Sequence, residues 1–193
     1  GYNGAGKTTF IKLLMHLYDI NSGSIIYNGT NICDIDTTSY QSRIGAVFQD
    51  YRIFAATVAE NVLGDEYTED DEKRVLDALH MATFESKLDT LPNGINTMLT
   101  REFDENGTNL SGGETQKIAI ARVFAQPYDL IIMDEPSSAL DPIAEYELNC
   151  HIKDFAADKT TIFISHRLGA VRNMDEILVV DNGVLCEAGS HEK

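Results

Sequence analysis

Apolar and polar positions follow two periods along this chain. Phe10, Leu13, Leu14 and Leu17 recur at helical spacing and predict a helix opening directly after a glycine-rich stretch. Asn21-Ser22-Gly23 predicts a turn, Ser24 to Tyr27 a short strand, and Asn28-Gly29 a second turn. The run Ile44-Gly45-Ala46-Val47-Phe48 reads as a buried strand that stops at Gln49-Asp50. Beyond it the period turns helical. Ala56 to Leu63 is one helix, and Asp70 to Thr83 an amphipathic one with Val75, Leu76, Leu79 and Ala82 on one face. Leu91-Pro92-Asn93-Gly94 is a turn, and Thr100 to Asn109 a polar loop.

Strand and helix then alternate. Leu130-Ile131-Ile132-Met133 has the unbroken apolar character of a parallel strand covered on both faces. A helix over Ala144 to Ala157, a strand over Thr161 to Ile164 and a short helix over Leu168 to Asn173 follow. Ile177 to Val180 and Val184 to Glu187 flank Asp181-Asn182-Gly183, a hairpin signal. The pattern predicts one α/β unit: a core over residues 1–49 and 126–193, and a mainly helical insertion over residues 50–125.

Composition narrows the function classes. A formal net charge of −16 argues against a nucleic-acid surface, which needs a basic face. The acidic run from Asp65 to Glu72 reads as a solvated approach to a helix N-terminus. Cys33, Cys150 and Cys186 lie far apart, match no metal spacing, and suit free thiols in a reducing compartment. There is no signal peptide and no apolar run long enough to span a bilayer.

The chemistry starts at Gly1-Tyr2-Asn3-Gly4-Ala5-Gly6-Lys7-Thr8-Thr9, which fits G-x-x-x-x-G-K-[ST]. Glycines at 1, 4 and 6 let backbone N–H groups point inward, where a Cβ would obstruct a phosphate. Lys7 can reach the β- and γ-phosphates and the Thr8 hydroxyl can hold Mg²⁺. Such a loop follows a buried strand, and none precedes Gly1, so a fragment or lost leading residues are expected. Asp134-Glu135-Pro136 closes the apolar run at Met133. Asp134 can serve Mg²⁺ opposite Thr8, and Glu135 can accept a proton from an attacking water. In Leu110-Ser111-Gly112-Gly113-Glu114, Ser111 and Glu114 have capping-box spacing. Two glycines in the first helical turn make sense where a phosphate approaches bare backbone.

Leu-Ser-Gly-Gly-Glu ahead of the Asp134 carboxylate resembles the signature of the ATP-binding cassette (ABC) ATPases, and the resemblance covers nearly the whole chain. It implies a P-loop core with a mainly parallel sheet and a helical subdomain, the ABC ATPase fold. It also implies hydrolysis of ATP with Mg²⁺. Gln49 falls at the position of the family's Q-loop glutamine, which contacts Mg²⁺ and water. Ser138-Ala139-Leu140-Asp141 matches the D-loop, and His166 matches the switch histidine at the γ-phosphate. The resemblance places Ser111, Gly112, Gly113 and Glu114 on the ATP of a second such domain, in a homo- or heterodimer. Phe48-Gln49-Asp50, Ala59-Glu60-Asn61-Val62, Ser165-His166-Arg167-Leu168 and Gly189-Ser190-His191-Glu192 look like the exporter branch, where this domain follows a transmembrane domain in one polypeptide. That branch implies a place on the cytoplasmic face of the cell membrane. The signature departs from the family by ending in Glu114 rather than Gln, and the loop from Glu102 to Gly107 matches the exporter pattern only in part.

Two other classes fit the sequence less well. Soluble cassette ATPases of DNA repair or translation carry coiled-coil insertions, or paired cassettes with basic surfaces, whereas residues 49–110 are too short for a coiled coil and the chain is acidic. A degenerate regulatory cassette is disfavoured by the joint presence of Lys7, Glu135, Ser111 and His166.

Overall fold

The computed structural model describes residues 5–102, 105–165 and 174–190. Three parallel strands form its centre in the order β3–β4–β5: β3 (Ile44–Val47), β4 (Leu130–Asp134) and β5 (Thr160–Ile164). Val47 stands opposite Met133, and Asp134 opposite Ile164, so the three C-terminal ends share one edge.

Side chains of β4 alternate between two cores, as strand geometry requires. Leu130 and Ile132 join Ile44, Ile164 and Ile11 on one face. Ile131 and Met133 join Val47 and the helical side on the other. Ile11 belongs to helix α1 (Lys7–Leu14). This helix opens directly after the glycine-rich stretch, as the apolar spacing predicts. Ile11 is its buried residue, while Phe10 and Leu17 are each 49 % exposed. The chain leaves α1 through His16, whose φ is 54°, and helix α2 (Thr37–Gln41) closes that end: Tyr40 Oη donates to the Leu14 carbonyl at 2.6 Å, and Gln41 Nε2 to Met15 at 3.2 Å. Between them lies the small hairpin of β1 (Ile26–Tyr27) and β2 (Thr30–Asn31), turned by Asn28 and Gly29 at φ 48° and 82°.

The second core is helical. Helix α3 (Val58–Leu63) starts at a capping box of Thr57 and Glu60. Helix α4 (Glu72–Met81) buries Val75, Ala78 and Leu79; Leu76, expected on that face, is 39 % exposed. A short α5 (Glu85–Leu88) leads towards α6 (Gly112–Phe124), whose Ile118, Ile120, Ala121 and Val123 are buried against this cluster. Asn61 is fully buried on α3 with its amide saturated: Nδ2 donates to the carbonyls of Phe54, Ala56 and Thr57, and Oδ1 accepts the Phe54 N–H at 2.7 Å. Arg122 of α6 donates from Nε to the Asn61 carbonyl at 2.8 Å and from Nη2 to the Arg52 carbonyl at 3.4 Å, with its guanidinium 5.0 Å from the Phe54 ring centre.

Helix α7 (Pro142–Phe155) buries Ala144, Leu148 and Ile152, the last two against the helical core. The last two strands, β6 (Ile177–Asp181) and β7 (Val184–Gly189), form the expected hairpin. Its turn touches the first described residue, since the Gly183 N–H donates to the Ala5 carbonyl at 2.9 Å. The expected helix at 168–173 lies outside the described residues. No described helix is long and apolar enough to cross a membrane. All three cysteines are free and exposed.

Candidate nucleotide site

Helix α1 opens at Gly6, whose φ of 98° is a left-handed conformation that glycine adopts without strain. A Cβ there would lie 3.0 Å from the Gly183 Cα, so the turn of the last hairpin also requires glycine at residue 6. Gly6 brings no side-chain cap to α1. The first N–H groups of a helix have no partner within the helix, and they carry the positive end of its dipole. Lys7, Thr8 and Thr9 occupy this first turn, after Ala5 and Gly6. Gly1, Asn3 and Gly4 lie outside the described residues, as does His166.

At the shared edge of the sheet, Gln49 follows β3, Asp134 ends β4, and Glu135 follows it. Gln49 Nε2 donates to Glu135 Oε2 at 2.6 Å, joining two residues far apart in sequence. Glu135 is held with φ 50°, and its N–H donates to the Ile164 carbonyl of β5 at 2.9 Å. Thr8, Gln49 and Asp134 offer a hydroxyl, an amide and a carboxylate oxygen, a hard donor set that fits Mg²⁺. Described residues contain no group of three His, Cys, Asp or Glu side chains arranged to hold a metal by themselves.

The segment Ser111–Glu114 opens α6 with a complete capping box: the Ser111 N–H donates to Glu114 Oε2 at 2.7 Å, and the Glu114 N–H to Ser111 Oγ at 3.3 Å. Burial pushes the Glu114 carboxyl upward, but the Ser111 N–H and Lys87, 3.2 Å away, outweigh it and hold its pKa below the ordinary value. Tyr51 Oη donates to the Gly112 carbonyl at 3.1 Å. The two glycines have different causes. A Cβ on Gly113 would meet the Ala139 carbonyl oxygen at 3.0 Å, so that glycine is required by packing inside the chain. A Cβ on Gly112 would meet nothing within 4 Å, and its backbone is exposed, so packing within the described residues does not ask for glycine there. Asp141 caps α7 by accepting the Ile143 and Ala144 N–H groups at 3.0 and 3.1 Å, and these hold its pKa low.

Sequence reasoning missed Gln116 and Ser137. Gln116 is 1 % exposed and bonds to the backbone of Glu135 and Ala139. Ser137, 6 % exposed, donates to Glu145 Oε1 at 2.9 Å. Only burial, which the helical period could have flagged, distinguishes Gln116 from a solvated glutamine.

A family model described as ABC transporter matches residues 1–138. Over its whole length the chain is 42 % identical to the subtilin transport ATP-binding protein SpaT of Bacillus subtilis, of which it covers 31 %. It is 38 % identical to a putative multidrug export ATP-binding/permease protein of Staphylococcus aureus, covering 32 % of it. A solved bacterial Atm1-family ABC exporter with ATP bound superposes with a TM-score of 0.88 at 34 % identity, over all of this chain and 33 % of that one. The chain thus spans about a third of the length of these relatives. With a family model matched over residues 1–138 and relatives 38–42 % identical over the whole of its length, this chain belongs to the ABC transporter family.

Proposed function

We propose that this chain is the ATP-hydrolysing part of an ABC exporter, working in a dimer of such domains on the cytoplasmic face of a membrane and coupled to transmembrane segments. The observation that carries the hydrolytic reading is the Gln49–Glu135 pair at the sheet edge, beside Asp134. ATP is the substrate. Gly1, Asn3, Gly4, Ala5, Gly6, Lys7, Thr8 and Thr9 bind its phosphates, and the α1 dipole favours that charge. Thr8, Gln49 and Asp134 would hold Mg²⁺, and the ion would supply charge neutralisation at the β- and γ-phosphates.

Glu135 takes a proton from the attacking water, and Gln49 orients that carboxylate and the water. His166 serves the γ-phosphate in this reading. The exposed backbone at Gly112, with Ser111, meets the ATP of the neighbouring domain, and Asp141 lies in the segment between the two sites. Symmetry makes each domain both donor and acceptor of a signature. Residues 1–49 and 126–193 form the nucleotide core, and residues 50–125 the helical subdomain that carries the signature. The relatives that support the exporter reading are named as export and transport ATP-binding proteins.

The test uses the full-length protein in membranes. Mg²⁺-dependent phosphate release from ATP, abolished by Lys7→Ala, is the expected result. A protein that binds no ATP, or releases phosphate equally well with Lys7→Ala, overturns the reading.

A further inference from the structure

Glu135 occupies a backbone conformation that a non-glycine residue seldom holds, with φ at 50°. Such a conformation persists only where the surroundings over-determine it. Both of its peptide groups are pinned. The N–H is held by the Ile164 carbonyl of β5, and the carbonyl accepts from Gln116 Nε2 at 3.2 Å. The same Nε2 donates to Ser138 Oγ at 3.2 Å, and Gln116 Oε1 accepts the Ala139 N–H at 3.1 Å. A primary amide has two donors and one acceptor oxygen, so the Gln116 side chain is fully engaged in a site where an unmade bond is costly. All of its partners lie within residues 135–139. The first turn of α6 presses on the same segment, where Gly113 leaves room for the Ala139 carbonyl.

We propose that Gln116 is a positioning residue for hydrolysis: it fixes the peptide of Glu135 from the signature helix, and through it the carboxylate that faces Gln49. The proposal rests on the reading of Glu135 as the general base. Its consequence is that α6 carries two tasks. Its N-terminus is offered to a neighbour's ATP, and one turn later the same helix sets the aim of its own domain's base. Misplacing a catalytic group by about 1 Å can cost on the order of 100-fold in rate, whereas ground-state binding of nucleotide is unaffected by a group that never touches it.

The experiment is a double-mutant cycle in the full-length protein with Gln116→Met, which keeps length and volume, and Glu135→Gln. Expected for Gln116→Met is a kcat about 10- to 100-fold lower per ATP-binding site, with KM and ATP affinity within about twofold of the parent. Added to Glu135→Gln, the same substitution should lower the residual rate by no more than about twofold, because the group it positions is already gone. Gln116→Glu, protonated in its buried site, keeps the acceptor and one donor and should fall between parent and Gln116→Met. A kcat within twofold of the parent, a loss carried equally by KM, or full additivity in the cycle overturns the proposal. So does failure of both Gln116 variants to bind ATP, which would assign the residue to folding alone. A parent that does not turn over ATP sinks the hydrolysis reading and this proposal with it. An active parent with an additive cycle sinks this proposal only.

Discussion

Gln49 Nε2 lies 2.6 Å from Glu135 Oε2, so the residue after one central strand orients the acid after the next. The contact depends on parallel pairing in register, which brings both strand ends to one edge. It also makes the pair an informative target, because an amide at residue 135 can still accept from Gln49.

Glu135→Gln therefore removes the base and preserves the local structure. We expect ATP affinity within about twofold of the parent and turnover lower by about 10²- to 10⁴-fold. Nucleotide binding and single-turnover phosphate release, measured together, check this. Hydrolysis within threefold of the parent would remove Glu135 from the role.

Ser111→Arg tests the signature. In a Glu135→Gln background, ATP should drive two domains together if Ser111 and the open backbone at Gly112 meet the neighbour's phosphates. The arginine removes the capping hydroxyl and fills that space, so the ATP-dependent dimer should weaken at least tenfold in analytical ultracentrifugation. A dimer as tight as before would exclude the role in trans.

Gly45→Ala tests the packing under β3. A Cβ at Gly45 would lie 2.3 Å from Tyr128 Cδ2, in contact with a ring rather than with a flexible side-chain end. The expected cost is about 1–3 kcal/mol in denaturant unfolding. Tyr128→Leu should recover part of it in the double variant. An equally stable Gly45→Ala would show that the ring moves freely.

Acid should unfasten the start of α6. Glu114 has a folded-state pKa below its ordinary 4.5, so its contribution to stability is present above 4.5 and is lost as pH falls through the lower folded value. Unfolding midpoints should therefore decline below pH 4.5 more steeply in the parent than in Glu114→Gln. Parallel curves would show that the carboxylate contributes nothing through ionisation.

Much of this architecture was legible because apolar runs and turn chemistry agree with one another. Leu130 to Met133 could only be a strand covered on both faces, and Asp181-Asn182-Gly183 could only turn a hairpin. Leu76 is exposed beside the buried Val75 and Leu79 because helical period gives a face but not what covers it. Phe10 and Leu17 share a spacing with buried residues, yet the sheet receives Ile11 instead. At the candidate site, the glycine-rich loop, the paired acids and the Ser111–Glu114 segment were readable as motifs, since their spacing is set by local backbone geometry. Gln116 was not, because its partners in residues 135–139 reach it only through tertiary packing. Gly113 was readable as a special glycine, and packing supplies a reason that sequence could not, a close carbonyl of its own chain.

Arg122 has a mechanical meaning beyond its hydrogen bonds. It ties α6 to the carbonyls of Arg52 and Asn61, and Asn61 in turn ties down residues 54–57. The stretch from Arg52 to Asn61 and α6 are therefore fastened to one another by polar contacts rather than by apolar packing alone. Losing the one guanidinium would loosen both the approach to α3 and the last turn of α6 at once.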